Sequence, residues 1–299
     1  MIARVLNHRG ARVGLALTVF FIGLAIVGPF FVGDPLEFVG VPLDPPGEHV
    51  FGTTGQGQDV LAQTVCGAST TLAVGFSVGF LVVVIGALMG VSAAYFGGRT
   101  DHALSLLMNV FLVLPGLPLA VVLAAYLPPG PLTLTGVLVI TGWAWNARVV
   151  RSQALTLRER DFVQAAIVSG ESHFRIITRE ILPNMASLLA SQFTGATVYA
   201  IGAQVGLEFL GLGDVSSVTW GTNLYWAAND SALLTQSWWV FVPTGLCVAL
   251  VGFALTLISF GFDEITNPRL ASERGWRSYL GRAGIRPGRV TPVVRRGHD

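Results

Sequence analysis

The residues of this chain that could do acid–base, nucleophilic or metal chemistry are few and scattered. There are five histidines, His8, His49, His102, His173 and His298, and two cysteines, Cys66 and Cys247. Cys247 lies inside an apolar run and Cys66 just outside one. Two such thiols read as small buried hydrophobes rather than as a disulfide, and a metal site needs more ligands. All eighteen basic side chains are arginine. Without lysine there is no Schiff-base chemistry and no Walker A phosphate loop. If ATP drives this protein, another chain hydrolyses it. No Asp, Glu or Arg stands in the middle of a long apolar run; Arg148 and Glu208 fall at the ends of such runs. That leaves no aspartate pair and no Ser–His dyad at membrane depth. It also weighs against an ion-coupled carrier, which usually holds its ion with an intramembrane titratable group.

The pattern that does carry information is Asp161–Pro183, DFVQAAIVSGESHFRIITREILP. It is amphipathic where its neighbours are apolar. Phe162, Ala165, Ala166 and Val168 lie in its first half, and Phe174, Ile176, Ile177, Ile181 and Leu182 in its second. Gly170 divides it into two short helical pieces, and Pro183 sits at the first turn of the next helix, where its missing N–H costs nothing. Small residues mixed with apolar ones on a polar segment suit a docking surface better than a solvated loop.

The elements that must hold this segment are membrane spans. The 299 residues are 52% hydrophobic and only 12% charged, and mean hydropathy is +0.65. So little charge cannot cover a water-soluble surface of this size, and so much apolar content excludes disorder. Uncharged apolar stretches long enough to cross a bilayer run over Val13–Gly33, Thr70–Gly98, His102–Leu127, Asn184–Leu207 and Ser237–Gly261. A sixth, Leu132–Ala147, is shorter, and Val149 and Val150 extend it past Arg148. The first is too long for a signal-peptide apolar region and lacks a cleavage pattern, so it is expected to stay as a span. The spans hold GxxxG spacings at Gly75/Gly79 and Gly86/Gly90, which predict close helix packing more than a dimer face.

All eighteen arginines fall in four segments: the N-terminus, the short link at Arg99, the Arg148–Arg179 connection and the tail. The connections Asp34–Ser69, Pro128–Pro131 and Asp214–Gln236 hold none. Random placement would give such segregation with odds on the order of 10⁻⁴, so the positive-inside rule puts both termini and the Asp161–Pro183 segment in the cytoplasm. The expected division is a cytoplasmic segment over 1–12, a six-span membrane domain over 13–267 with an acidic outer loop at 34–69, and a basic cytoplasmic tail over 268–299.

Gln164-Ala165-Ala166, three residues, Gly170, then Ile181-Leu182-Pro183 resembles the EAA motif of ATP-binding-cassette importer permeases. Gln164 replaces the usual Glu, and Glu180 stands where an apolar residue or His is common. FGTTGQGQDVLAQTVCGASTTLAVG from Phe51, AAYFGGRTDHAL, LPGLPLAVVL, EFLGLG from Glu208, Trp220-Gly221 and NPRL are similar to stretches of dipeptide, oligopeptide and nickel permeases of the C-subunit type. Gln58 stands where Arg is common.

The resemblance implies an all-α, six-span, type I importer permease with a cytoplasmic coupling helix. Gln164, Ala165, Ala166, Gly170, Leu182 and Pro183 become the residues expected at the ATPase contact, with no catalytic residue and no cofactor in this chain. The implied partners are a homologous B-type permease, two ATP-binding-cassette ATPases, an extracytoplasmic substrate-binding protein meeting the outer loop, and the bilayer of a bacterial inner membrane. The implied function is ATP-driven import of dipeptides or oligopeptides. The alternatives are nickel, another small chelate or haem carried by the same machinery, and an ion-driven secondary carrier.

Overall fold

A computed structural model describes residues 9–266. The Arg-rich tail at 268–299 and most of the 1–12 segment lie outside the described residues. The regular structure of the described residues is helical, apart from isolated bridges Phe38–Gln58 and Thr53–Asp59 in the loop after the first helix. Nine principal helices follow in chain order: α1 (Arg9–Val27), α2 (Val60–Phe96), α3 (Gly98–Val113), α4 (Gly116–Tyr126), α5 (Pro131–Arg158), α6 (Asp161–Val168), α7 (Ala186–Phe209), α8 (Trp220–Asn229) and α9 (Val242–Thr266). Single turns at Gly28–Phe30 and Trp238–Val240 extend the ends of α1 and α9.

The centre of the molecule is α2, 37 residues long. It packs along α5 on one side and α7 on the other, with α9 and α1 beyond α7. Its glycines make this possible. A β-carbon at Gly79 would come within 3.1 Å of the Thr197 nitrogen in α7, and one at Gly86 within 3.0 Å of the Ala147 nitrogen in α5. The Gly75/Gly79 spacing therefore serves α7, and the Gly86/Gly90 spacing serves α5, as the packing reading of GxxxG expects. Val78, Val82, Leu134, Leu138 and Ala203 fill the space between these helices. The Asp101 carboxylate accepts from Nε and Nη2 of Arg151 at 2.5 and 2.6 Å, which ties the first turn of α3 to α5.

Two expected spans differ. Thr70–Gly98 is expected as the second span, but α2 begins ten residues earlier, because the Asp59 side chain caps the Leu61 N–H at 2.8 Å and starts the helix there. His102–Leu127 is not one straight span. α3 and α4 meet at an 82° bend. Pro115 has no N–H to donate and forces Leu114 into an extended conformation with ψ 132°, so the helix ends and restarts. The Asp214–Gln236 connection contains α8. By length and apolar composition, three of the described helical segments can cross a bilayer, Gly10–Phe30, Val60–Phe96 and Trp238–Phe262, and the bent α3–α4 pair makes a fourth. α5 and α7, with 28 and 24 residues, have the length but interleave more polar side chains.

Candidate functional site

The Asp161–Pro183 segment folds as two short helical pieces. α6 ends in a Schellman turn: the Gly170 N–H donates to Ile167 O at 3.0 Å and the Glu171 N–H to Ala166 O at 3.1 Å. Closing that turn requires a left-handed residue, and Gly170 supplies it with φ +75°. The chain restarts at Ser172, whose hydroxyl accepts the Arg175 N–H, while the Arg175 guanidinium pairs with Glu171 at 2.8 Å. Residues 173–184 are one continuous coil of helix with a π-turn over Ile176–Ile181. In a regular helix the Pro183 ring would meet the carbonyl four residues back. The wider turn just before it relieves that clash, and the Leu182 N–H reaches Ile177 O instead.

The segment has two faces. Val163, Ile176 and Ile181 are fully buried against Val91, Ala94 and Tyr95 of α2 and Val150 and Ala154 of α5. Polar bonds fix the same seat. The Tyr95 hydroxyl and the His173 Nδ1 are 2.8 Å apart, and Arg158 donates to Ala94 O at 3.1 Å. On the other face Val168 is 87% exposed and Phe174 77%, and Phe162 and Ile167 are also exposed. A rigidly seated turn that presents bare apolar side chains is a docking surface in physical terms.

The six residues expected at a contact are divided by this arrangement. Ala165 and Gly170 face outward at the turn, and Pro183 is exposed at the far end. Ala166 and Leu182 pack partly into the cluster beneath, so they seat the segment. The Gln164 amide donates to Arg158 O at 2.9 Å, closing the α5–α6 corner. The amphipathic pattern marked Val168 and Phe174 as apolar, but their outward direction depends on where the turn at Gly170 points the two pieces.

A second constellation gathers at the other end of α7. The Glu208 carboxylate is only 3% exposed. It accepts from Gln204 Nε2 at 2.9 Å and from Thr219 Oγ at 2.6 Å. Gly221 lies so close that any β-carbon would overlap this carboxylate. Trp220 is completely buried; its indole N–H donates to Thr64 O at 2.9 Å and its backbone N–H to Thr71 Oγ at 3.0 Å. EFLGLG and Trp220-Gly221, separate in sequence, are thus one joint among α7, α8 and α2. With the Glu208 carboxylate and the Trp220 indole both bonded within the chain, this joint holds helices together; it has the chemistry of a brace. Among the described residues no group of His, Cys, Asp and Glu could hold a metal ion.

Long apolar helices with a seated turn that bares apolar side chains define a helical membrane protein with a docking surface. Comparison with known proteins makes that specific. Residues 82–272 match the model of the family described as binding-protein-dependent transport system inner membrane component, and the chain belongs to that family. A protein of Brucella abortus provisionally designated a peptide transport system permease is 34% identical over 277 residues, covering 90% of this chain and 91% of its own. The dipeptide transport system permease protein DppC of Bacillus subtilis is 32% identical over 275 residues, covering 89% and 84%. The oligopeptide transport system permease protein OppC of the same organism is 30% identical over 274 residues, covering 89% and 88%.

Proposed function

We propose that this chain is a permease subunit of an ATP-driven importer of dipeptides or oligopeptides. It forms half of the translocation pathway, beside a homologous permease, above two ATPases and below an extracytoplasmic binding protein. The names of its relatives favour peptides over nickel, chelates or haem. α5 and α7 join the other apolar segments to give six spans, with both termini cytoplasmic in accord with the arginine distribution. The 161–183 segment is the coupling helix. Gln164, Ala165, Ala166, Gly170, Leu182 and Pro183 shape it, some by contact and some by seating it.

The observation that carries this reading is the pairing of a firmly anchored inner face with an exposed apolar outer face on one short turn. ATP can drive transport only if the ATPases bind the two permease states differently, and force has to pass through a rigid element for that difference to reach the spans. The turn's anchorage on the ends of α2 and α5 supplies the rigidity. The test is joint measurement of peptide uptake and ATPase co-purification in cells, with side chains on the outer face replaced singly. Topology is checked separately. Ser172→Cys, in a Cys66→Ala/Cys247→Ala background, is expected to resist an impermeant thiol reagent in intact cells and to react once the membrane is opened. Labelling in intact cells would reverse the orientation.

A further inference from the structure

Away from both constellations, α2, α3, α5 and α7 enclose a cavity of about 420 Å³. That size lies in the range of roughly 300–1,000 Å³ that accommodates small organic ligands. Val82 and its neighbours form an apolar wall, and Thr141, Trp145, Asn146, Gln192 and Tyr199 supply the polar groups. Among the described residues that line it, none is Asp, Glu, Arg or His.

Asn146 is the residue that points to a ligand. It is 5% exposed, and its Oδ1 has no hydrogen-bond partner. Its Cβ side is closed, because α5 lies against α2 so tightly that a β-carbon at Gly86 would stand 2.8 Å from Asn146 Cβ. The amide is thus held in place by backbone packing on the cavity lining, with one of its polar atoms left unpaired. Buried polar groups in folded proteins are almost always paired, and a side-chain amide left incompletely paired on the lining of a cavity of this size marks a place for an incoming polar group. A peptide bond offers both a donor and an acceptor to such an amide. Neutral amide, hydroxyl and indole groups can pair with a peptide backbone whatever side chains it carries, whereas a fixed charge would favour one sign and repel the other.

We infer that this cavity receives the backbone of the passing peptide, with Asn146 as a specificity-determining contact that keeps the passage indifferent to side-chain charge. This rests on the peptide-importer reading and goes further by naming the contact and its selectivity.

The experiment uses the assembled importer with all its partner chains, reconstituted in vesicles, in the Cys66→Ala/Cys247→Ala background. The probe for contact is the tripeptide Ala-Cys-Ala, activated as its 2-pyridyl disulfide, so that a cavity thiolate displaces pyridine-2-thione and forms a mixed disulfide with the peptide. During ATP turnover Thr141→Cys and Ala196→Cys are expected to capture the probe, and excess tri-alanine to suppress capture. Ile140→Cys, one residue from the cavity lining, is expected to remain unlabelled. Equal labelling of Ile140→Cys and Thr141→Cys, or labelling that excess tri-alanine leaves unchanged, would overturn the assignment.

Selectivity is read as the uptake ratio of Ala-Lys-Ala to Ala-Glu-Ala, which is independent of how much protein folds. Asn146→Asp is expected to raise that ratio about tenfold over the parent, the scale of one added like-charge contact. Asn146→Leu is expected to lower uptake of both peptides together, about tenfold, the scale of one lost hydrogen bond. A ratio unmoved by Asn146→Asp would overturn the role of Asn146. If the parent imports none of these peptides, the peptide reading fails, and this inference with it. If the parent imports them but the cavity cysteines stay unlabelled, the cavity assignment alone fails.

Discussion

Two connections flank α7, and they handle buried polar groups and exposed apolar ones in opposite ways. The joint after α7, at Glu208, Thr219 and Trp220, turns its polar and aromatic groups inward. Trp220 is completely buried, the Glu208 carboxylate is met by Gln204 and Thr219, and Thr219 and Thr222 cap α8 with a reciprocal pair of bonds. The connection before α7 is bonded only on its inner side and leaves Val168 and Phe174 bare. A brace and a docking turn can thus be built from similar material, short helices joined at glycines. What separates the joint from the turn is that Trp220 finds a place inside the same chain while Val168 and Phe174 do not. The joint is closed by folding, and the turn leaves an apolar face open.

The sharpest way to break this contrast is Trp220→Ala. Removing a fully buried indole and its hydrogen bond to Thr64 O costs about 3–5 kcal/mol by the usual scale for large-to-small core changes. Thermal stability in detergent should fall markedly, together with the amount of protein in the membrane. A variant with parental stability would mean that the brace is not a brace.

Gly170→Trp probes the opposite side. A β-carbon there meets nothing within 4 Å, so the only folding cost is the left-handed backbone, about 1 kcal/mol. The chain should stay in the membrane at close to parental level. Uptake is expected to be lost and ATPase co-purification weakened, because the indole stands on the docking face beside Ala165. Normal uptake at matched expression would remove this turn from the ATPase contact.

Phe174→Ala sharpens the same point with a smaller change. The side chain is largely exposed, so its loss should leave thermal stability within about 0.5 kcal/mol of the parent. Its effect belongs to the partner, with ATPase affinity falling about tenfold, as for a modest interface hot spot. A stability loss without an affinity loss would place Phe174 in the fold instead.

The smallest effect is expected at Asp230, which closes α8 and lies against Gly55. One of its carboxylate oxygens is buried without a partner, and burial pushes its carboxyl above the ordinary range. A raised folded-state value means that stability is fullest below the unfolded-state pKa and declines as pH rises through the folded one. Asp230→Asn cannot ionise and should lack this decline. It should match or slightly exceed the parent's melting temperature at pH 7, with the difference fading in acid. A variant less stable than the parent at pH 7 would show that the charge is solvated or paired.

Much of this protein is legible in one dimension because the bilayer imposes a one-dimensional rule. Length and apolarity mark the helices at 13–33, 70–98 and 237–261, since a helix that crosses lipid satisfies its backbone bonds within its own segment. The docking turn is legible as well, because Gly170 and Pro183 act on their own neighbours, one through φ and one through a missing N–H. The early start of α2 was hidden, although its signal, Asp59 before Leu61, lies in the sequence; the polar and small residues among 60–69 outweigh one cap in a hydropathy reading. The bend at Leu114–Pro115 was hidden for the same reason, since its residues are all apolar.

Other features exist only once helices meet. Glu208, Thr219 and Gly221 acquire a common purpose when the end of α7 reaches α8, and neither partner carries a mark of the other. Asn146 is one polar residue among several on α5 until Gly86 of α2 closes on its back and a cavity opens at its front. Composition and spacing therefore determined that this chain is a membrane protein and marked its most apolar helices, because those are properties of single segments in a given solvent. Which side chains are buried, paired or left waiting was decided by tertiary packing, because burial and pairing are relations between segments far apart along the chain.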